Sequence, residues 1–146
     1  AWFARTERLD QRRAELADRK EQENKSRLTS LRVLAAELST NRALVESKAP
    51  TYLRHSDSGP EESIPAPLRR AGYEQALPYI SELPNEVRNL VVEAYAAIDE
   101  YSAAVDIYSH LPRGQQVGIG VYIFGGRPVL KKAEDALSLY LDGVDN

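Results

Sequence analysis

Few residues in this chain have the types and spacing to do chemistry. There are two histidines, His55 and His110, and no cysteine. Asp106 and His110 are four apart, so on a helix they share a face and could offer two metal ligands. A metal site needs at least a third ligand, and the same position lets an imidazolium cap a helix end, which is the expected role of His110. His55 stands beside Asp57 in a proline-rich stretch and reads as a solvated loop residue. Glu93 and Glu100, and Asp99 and Asp106, are acid pairs a heptad apart. Acid pairs can serve acid/base catalysis or bind iron in bundles, but the Glu-x-x-His pattern of di-iron sites is absent. These acids are expected on a solvated edge or opposite the arginines of the first helix. No G-x-S-x-G elbow occurs, and without cysteine thiol chemistry and Cys-based zinc sites are excluded. We expect no catalytic residue, metal or cofactor, and a protein that is not an enzyme.

The stretch GQQVGIGVYIFGG, Gly114 to Gly126, has glycines like a phosphate loop but lacks its other requirements. The third glycine of a dinucleotide fingerprint would fall at Ile123, and a Walker loop would need a lysine. Val117, Ile119, Val121 and Ile123 alternate with Gly118, Gly120, Tyr122 and Phe124, the period of an extended segment. A helical turn using Val117, Val121 and Phe124 is the alternative. An extended piece would need a partner for its backbone, so Val117, Ile119, Val121, Tyr122, Ile123 and Phe124 are the interaction candidates. The eight tyrosines outnumber the two phenylalanines. Tyr95, Tyr101 and Tyr108 suit a core edge first, and a small-ligand cleft second.

The elements that must hold these residues follow from hydrophobic period and charge. The 146 residues suffice for one core, and the net charge of −3 argues against a nucleic-acid binder. That charge is unevenly spread: residues 1–48 carry eleven Lys or Arg against eight Asp or Glu, and the rest eight against fourteen. Residues 1–27 form a charged, juxtamembrane-like helix without Gly or Pro from Ala4 onward. Leu9 and Leu16 are a heptad apart, but the seam fails at Glu23, so no long coiled coil is expected. Pairs such as Glu15 with Arg19 would support the helix. Trp2 and Phe3, followed by Arg5, Arg8, Arg12 and Arg13, look like the edge of a membrane span lying upstream, with the domain on the cytoplasmic side.

Residues 28–146 make a single helical domain with a flexible loop at about 48–67, where four prolines gather. Leu28, Leu31, Leu34, Ala35, Leu38 and Val45 keep a helical period. A short helix around Tyr73 to Ile80 meets Pro78, where it could be interrupted. Pro84 then opens a long helix whose stripe runs Val87, Leu90, Val91, Ala94, Ile98, Tyr101, Val105 and Tyr108. Val92, Tyr95 and Ile107 widen its apolar arc, which places it at the bundle centre. Val129, Leu130, Ala133, Ala136, Leu137, Tyr140 and Leu141 form the last stripe, with Gly143 as its stop. The predicted fold is all-α: a four-helix bundle-like domain, a long charged N-terminal helix and a Gly-rich connector before the last helix.

Ala36, Glu37, Leu38 and Asn41, then Leu83, Pro84, Glu86, Ala94 and Tyr95, form a pattern that resembles a group of uncharacterised bacterial single-span membrane proteins with a small helical domain. The pattern covers about half of the chain and excludes the glycine stretch. The resemblance implies a membrane-anchored helical domain and carries over no catalytic residues. The expected function is a non-catalytic, membrane-tethered adaptor or assembly module that binds another protein or itself. The alternative is a sensor that holds a small ligand between helices.

Overall fold

The computed structural model describes residues 2–52, 68–110 and 119–145, all helical apart from short turns. The helices are α1 (Trp2–Tyr52), α2 (Ala71–Ile80), α3 (Asn85–His110) and α4 (Ile119–Asp145). The all-α, bundle-like fold with a long N-terminal helix is as the hydrophobic periods predict.

Buried positions of α1 recur as Leu31, Leu34, Leu38, Asn41 and Val45, with spacings of 3, 4, 3 and 4. That is a heptad seam, and it packs on the seam of α4 formed by Leu130, Ala133, Leu137 and Leu141. α4 also covers α3, which contributes Val91, Ala94, Tyr95, Ile98 and Tyr101. α4, rather than α3, is therefore the element with two large helical neighbours. Tyr95 lies outside the predicted stripe yet is buried, whereas Val92 and Ile107 remain exposed. The apolar arc of α3 is thus wider than the surface that its neighbours cover.

α2 lies against α1 through Ala76 and Ile80. Pro78 does not interrupt it, because the proline and Glu74, whose carbonyl it leaves unpaired, both face solvent. Leu83 N–H to Ile80 O and Glu82 N–H to Tyr79 O, both 3.1 Å, close the helix and turn the chain. Pro84 then offers its carbonyl to Arg88 N–H at 2.9 Å, so it stands just ahead of α3.

Three boundaries differ from expectation. α1 continues to Tyr52, so residues 48–52 of the expected loop are helical, and residues 53–67, with His55, lie outside the described residues. α4 starts at Ile119, so the backbone of Ile119, Val121, Tyr122, Ile123 and Phe124 is helical and not extended. A helix satisfies its own N–H and C=O groups where a lone strand would leave a row unpaired. α4 also runs past Gly143 to Asp145.

The first half of α1 stands out from the bundle. Every side chain from Trp2 to Ser26 is exposed, and cover begins at Arg27 and Leu28. These 25 residues form a stalk of about 37 Å, at 1.5 Å per residue. The ion pair along it is Lys25 to Glu21 at 3.2 Å, in place of the expected Glu15 with Arg19.

The core makes a direct prediction. Leu137→Ala and Ile98→Ala should each destabilise the fold by about 2–5 kcal/mol, read from urea unfolding midpoints. A midpoint unmoved by both would take the α3–α4 contact out of the core.

Candidate functional site

Among the described residues the buried polar groups gather where α1, α2 and α3 meet. α2 begins after Arg70, whose side chain makes no capping bond, so its first N–H groups need acceptors from elsewhere. Glu37 of α1, 8% exposed, supplies them. Gly72 N–H donates to Glu37 Oε2 at 2.6 Å and Tyr73 N–H to Oε1 at 3.1 Å. A carboxylate suits this place because the positive end of the helix dipole faces it. The Tyr95 hydroxyl donates to the same Oε1 at 2.6 Å. One turn on, Asn41 Nδ2 donates to Arg69 O and Arg69 N–H donates to Asn41 Oδ1, both at 2.8 Å. Asn41 thus grips the backbone entering α2 at both of its polar groups.

The packing permits little movement here. Tyr73 stacks on Tyr95 with ring centroids 4.1 Å apart and planes 18° apart. Arg70 lies over Tyr73 at 5.2 Å and reaches both Asp99 oxygens at 3.0 and 3.1 Å. A Cβ on Gly72 would stand 3.0 Å from Glu37 Oε2 and 3.1 Å from its Cδ. Glycine at this position lets the backbone approach the carboxylate without that contact.

Burial, and then the bond to the Glu37 carboxylate, raise the Tyr95 phenol well above its ordinary range, so it remains a donor. On the other side of α1, Arg42 bonds Glu134 of α4 through Nε and again through Nη2 at 3.2 Å. This fork holds the Glu134 carboxyl below the usual range. Its contribution is present above the ordinary carboxylate pKa and is lost as pH falls through the lowered value.

The sequence-predicted candidates are not brought together here. Tyr95 and Tyr101 are buried core residues, and the Tyr95 hydroxyl is engaged by Glu37 and does not face a cleft. Tyr108 is on α3, with its side chain outside the described residues. Ile119, Val121, Tyr122, Ile123 and Phe124 start α4 without described side chains, and Val117 lies outside the described residues. Glu93, Asp99 and Glu100 are exposed, and Asp99 receives Arg70 rather than an arginine of the first helix. His110 ends α3, and the described residues hold no cluster of three metal-ligating side chains. None of their helices is long and apolar enough to cross a membrane.

Comparison with protein-family models, curated proteins and solved structures finds no match. Three positions from the sequence pattern quoted above, Glu37, Asn41 and Tyr95, meet in this cap. What sequence reasoning missed had a signal: Asn41 falls on the heptad seam, and a helix preceded by Arg70 lacks its own cap.

Two predictions follow from the geometry. Alanine normally favours a helix over glycine by about 1 kcal/mol. Gly72→Ala should nevertheless lower stability by about 1–3 kcal/mol, because the carboxylate it meets is fixed by three donors. A raised unfolding midpoint would show that Glu37 yields easily. Tyr95→Phe should cost about 1–2 kcal/mol near neutral pH. Because the folded-state pKa is raised, that difference should persist below about pH 10, the ordinary phenol value, and close above it. A gap that is constant through pH 11 would contradict the assignment.

Proposed function

We propose that this chain is a non-catalytic adaptor or assembly module, held at a membrane by a segment joined to Trp2, with its helical domain on the cytoplasmic side. The observation that carries this reading is the stalk. α1 is one continuous helix whose first 25 residues are exposed while the remainder is built into the bundle. A helix polar over most of its surface and fused to a packed domain holds that domain at a distance and orientation. Trp2 and Phe3, 76% and 80% exposed at its start and followed by arginines, have the chemistry of a membrane interface.

The bundle supports a binding role over a reactive one. Glu37, Asn41 and Tyr95 direct their hydrogen bonds inward. Exposed apolar side chains remain on its outside, among them Leu77, Val92, Ile107 and Leu139. The start of α4 stays an interaction candidate through Tyr122 and its neighbours.

The test is photo-crosslinking in cells, with a benzoylphenyl side chain introduced at Tyr122, Val92 or Leu139. Discrete protein adducts from at least one position are expected. If none of the three gives a protein adduct, and native mass spectrometry of the chain retains a small molecule, the ligand-sensing alternative takes over.

A further inference from the structure

The charge of the stalk changes along its axis. Between Trp2 and Arg13 stand four arginines, Arg5, Arg8, Arg12 and Arg13, against two acids, Glu7 and Asp10. Between Ala14 and Ser26 stand three bases, Arg19, Lys20 and Lys25, against four acids, Glu15, Asp18, Glu21 and Glu23. An excess of +2 in the first three turns thus gives way to −1 in the remainder. All four arginines are exposed, and none of them pairs with an acid among the described residues. Lys25, by contrast, is held by Glu21 at 3.2 Å.

Apolar side chains stand among these arginines and are just as open to solvent. Trp2 and Phe3 meet edge to face with ring centroids 6.1 Å apart, and Leu9 is half exposed. At about 100° per residue, the four arginines occupy an arc of about 140° that also holds Trp2 and Leu9 and neither acid. Helix side chains lean toward the N-terminus, so each arginine reaches back toward the level of Trp2. Along the axis Arg5 and Arg8 are about 4.5 and 9 Å from Trp2, and Arg12 and Arg13 about 15 and 16.5 Å. The polar layer on each side of a bilayer is about 5–8 Å deep, and its charge is felt for about 10 Å beyond in 0.1 M salt. With Trp2 at the interface, the first two arginines stand in that layer and the other two in its field.

Four arginines in three turns do not favour a helix in water, where Arg8 and Arg12 at i,i+4 repel each other. A surface of phosphates reverses the sign of that effect. The planar guanidinium takes two phosphate oxygens at once, and no lysine occurs in the stalk before Lys20. Zwitterionic headgroups carry a cation beside each phosphate, so guanidiniums favour lipids that lack one. We infer that the first three turns of α1 are a binding site for anionic lipid, with Arg5, Arg8, Arg12 and Arg13 on the headgroup phosphates and Trp2 and Phe3 in the interface beneath them. The inference names the lipid class at the membrane end of the stalk and rests on the membrane-held reading. That reading needs only the segment joined to Trp2 and is indifferent to lipid charge. A chain that ignores anionic lipid yet still yields protein adducts in cells would therefore sink this site alone.

The experiment titrates the 146-residue chain with vesicles of phosphatidylcholine alone, and with vesicles of equal parts phosphatidylcholine and phosphatidylglycerol. Trp2 is the sole tryptophan, so its fluorescence reports the contact directly. The emission should shift to the blue with the anionic vesicles and stay in place with the neutral ones, and the binding should weaken as salt is raised. Two variants remove equal charge from the two parts of the stalk: Arg5→Gln/Arg8→Gln/Arg12→Gln and Arg19→Gln/Lys20→Gln/Lys25→Gln, with helicity checked by circular dichroism. The first should lose about ten-fold or more in apparent lipid affinity, and the second about three-fold or less. No shift with anionic vesicles, an equal shift with neutral ones, or equal losses in the two variants would each overturn the inference.

Discussion

Glu37 is a carboxylate withdrawn from water, and a charge so placed is tolerated only where donors surround it. Three do: two amides from the first turn of α2 and the Tyr95 hydroxyl of α3. The amides and the hydroxyl come from different helices, so this one side chain on α1 fixes the relative positions of three helices. Several other features follow from it. Glycine at residue 72 suits this contact, because a Cβ there would stand 3.0 Å from the acceptor oxygen and press on the carboxylate that the amide holds. Tyr95 must turn inward from the edge of the α3 stripe, which brings its ring under Tyr73. Asn41, one turn along α1, fixes the height of the chain by gripping Arg69 at both backbone groups.

The clamp also explains why α2 exists. Ten residues are too few for a helix to be stable alone in water, since nucleation dominates its free energy. α2 further lacks a local cap and contains Pro78. The remote carboxylate takes the place of the missing cap, and Ala76 and Ile80 bury its inner face on α1. An apolar residue at position 37 would remove the desolvation cost of the charge but leave two amides and a hydroxyl without acceptors. A polar Asn41 on an otherwise apolar seam has the same character: it selects one register of α2 on α1 at some cost in stability.

How much of this was legible follows from which signals are local. The stripes of α1 and α4 were legible because a buried helix face repeats every three or four residues regardless of its partner. Leu31, Leu34, Leu38, Leu130 and Leu137 are all where the period puts them. Tyr95 and Val92, both read as widening the stripe, part company, one buried and the other exposed, because periodicity gives the direction of a side chain and not the extent of neighbouring cover. The start of α4 was misread because Val117 to Phe124 alternate as a strand would, while the decisive matter, whether another strand exists to pair with it, is global. The cap was invisible as a unit: Gly72 and Tyr95 are 35 and 58 residues from Glu37 along the chain. Only its parts left traces, in the polar seam position and in a helix that starts without a capping side chain.

α1 remains the element on which two opposed demands fall. Its second half is shaped by burial, and its first half must be helical with no packing to hold it. Continuity resolves this, because the packed half provides the nucleus and each stalk residue then adds one hydrogen bond to an existing helix. The absence of glycine and proline from Ala4 to Arg27 makes that propagation inexpensive.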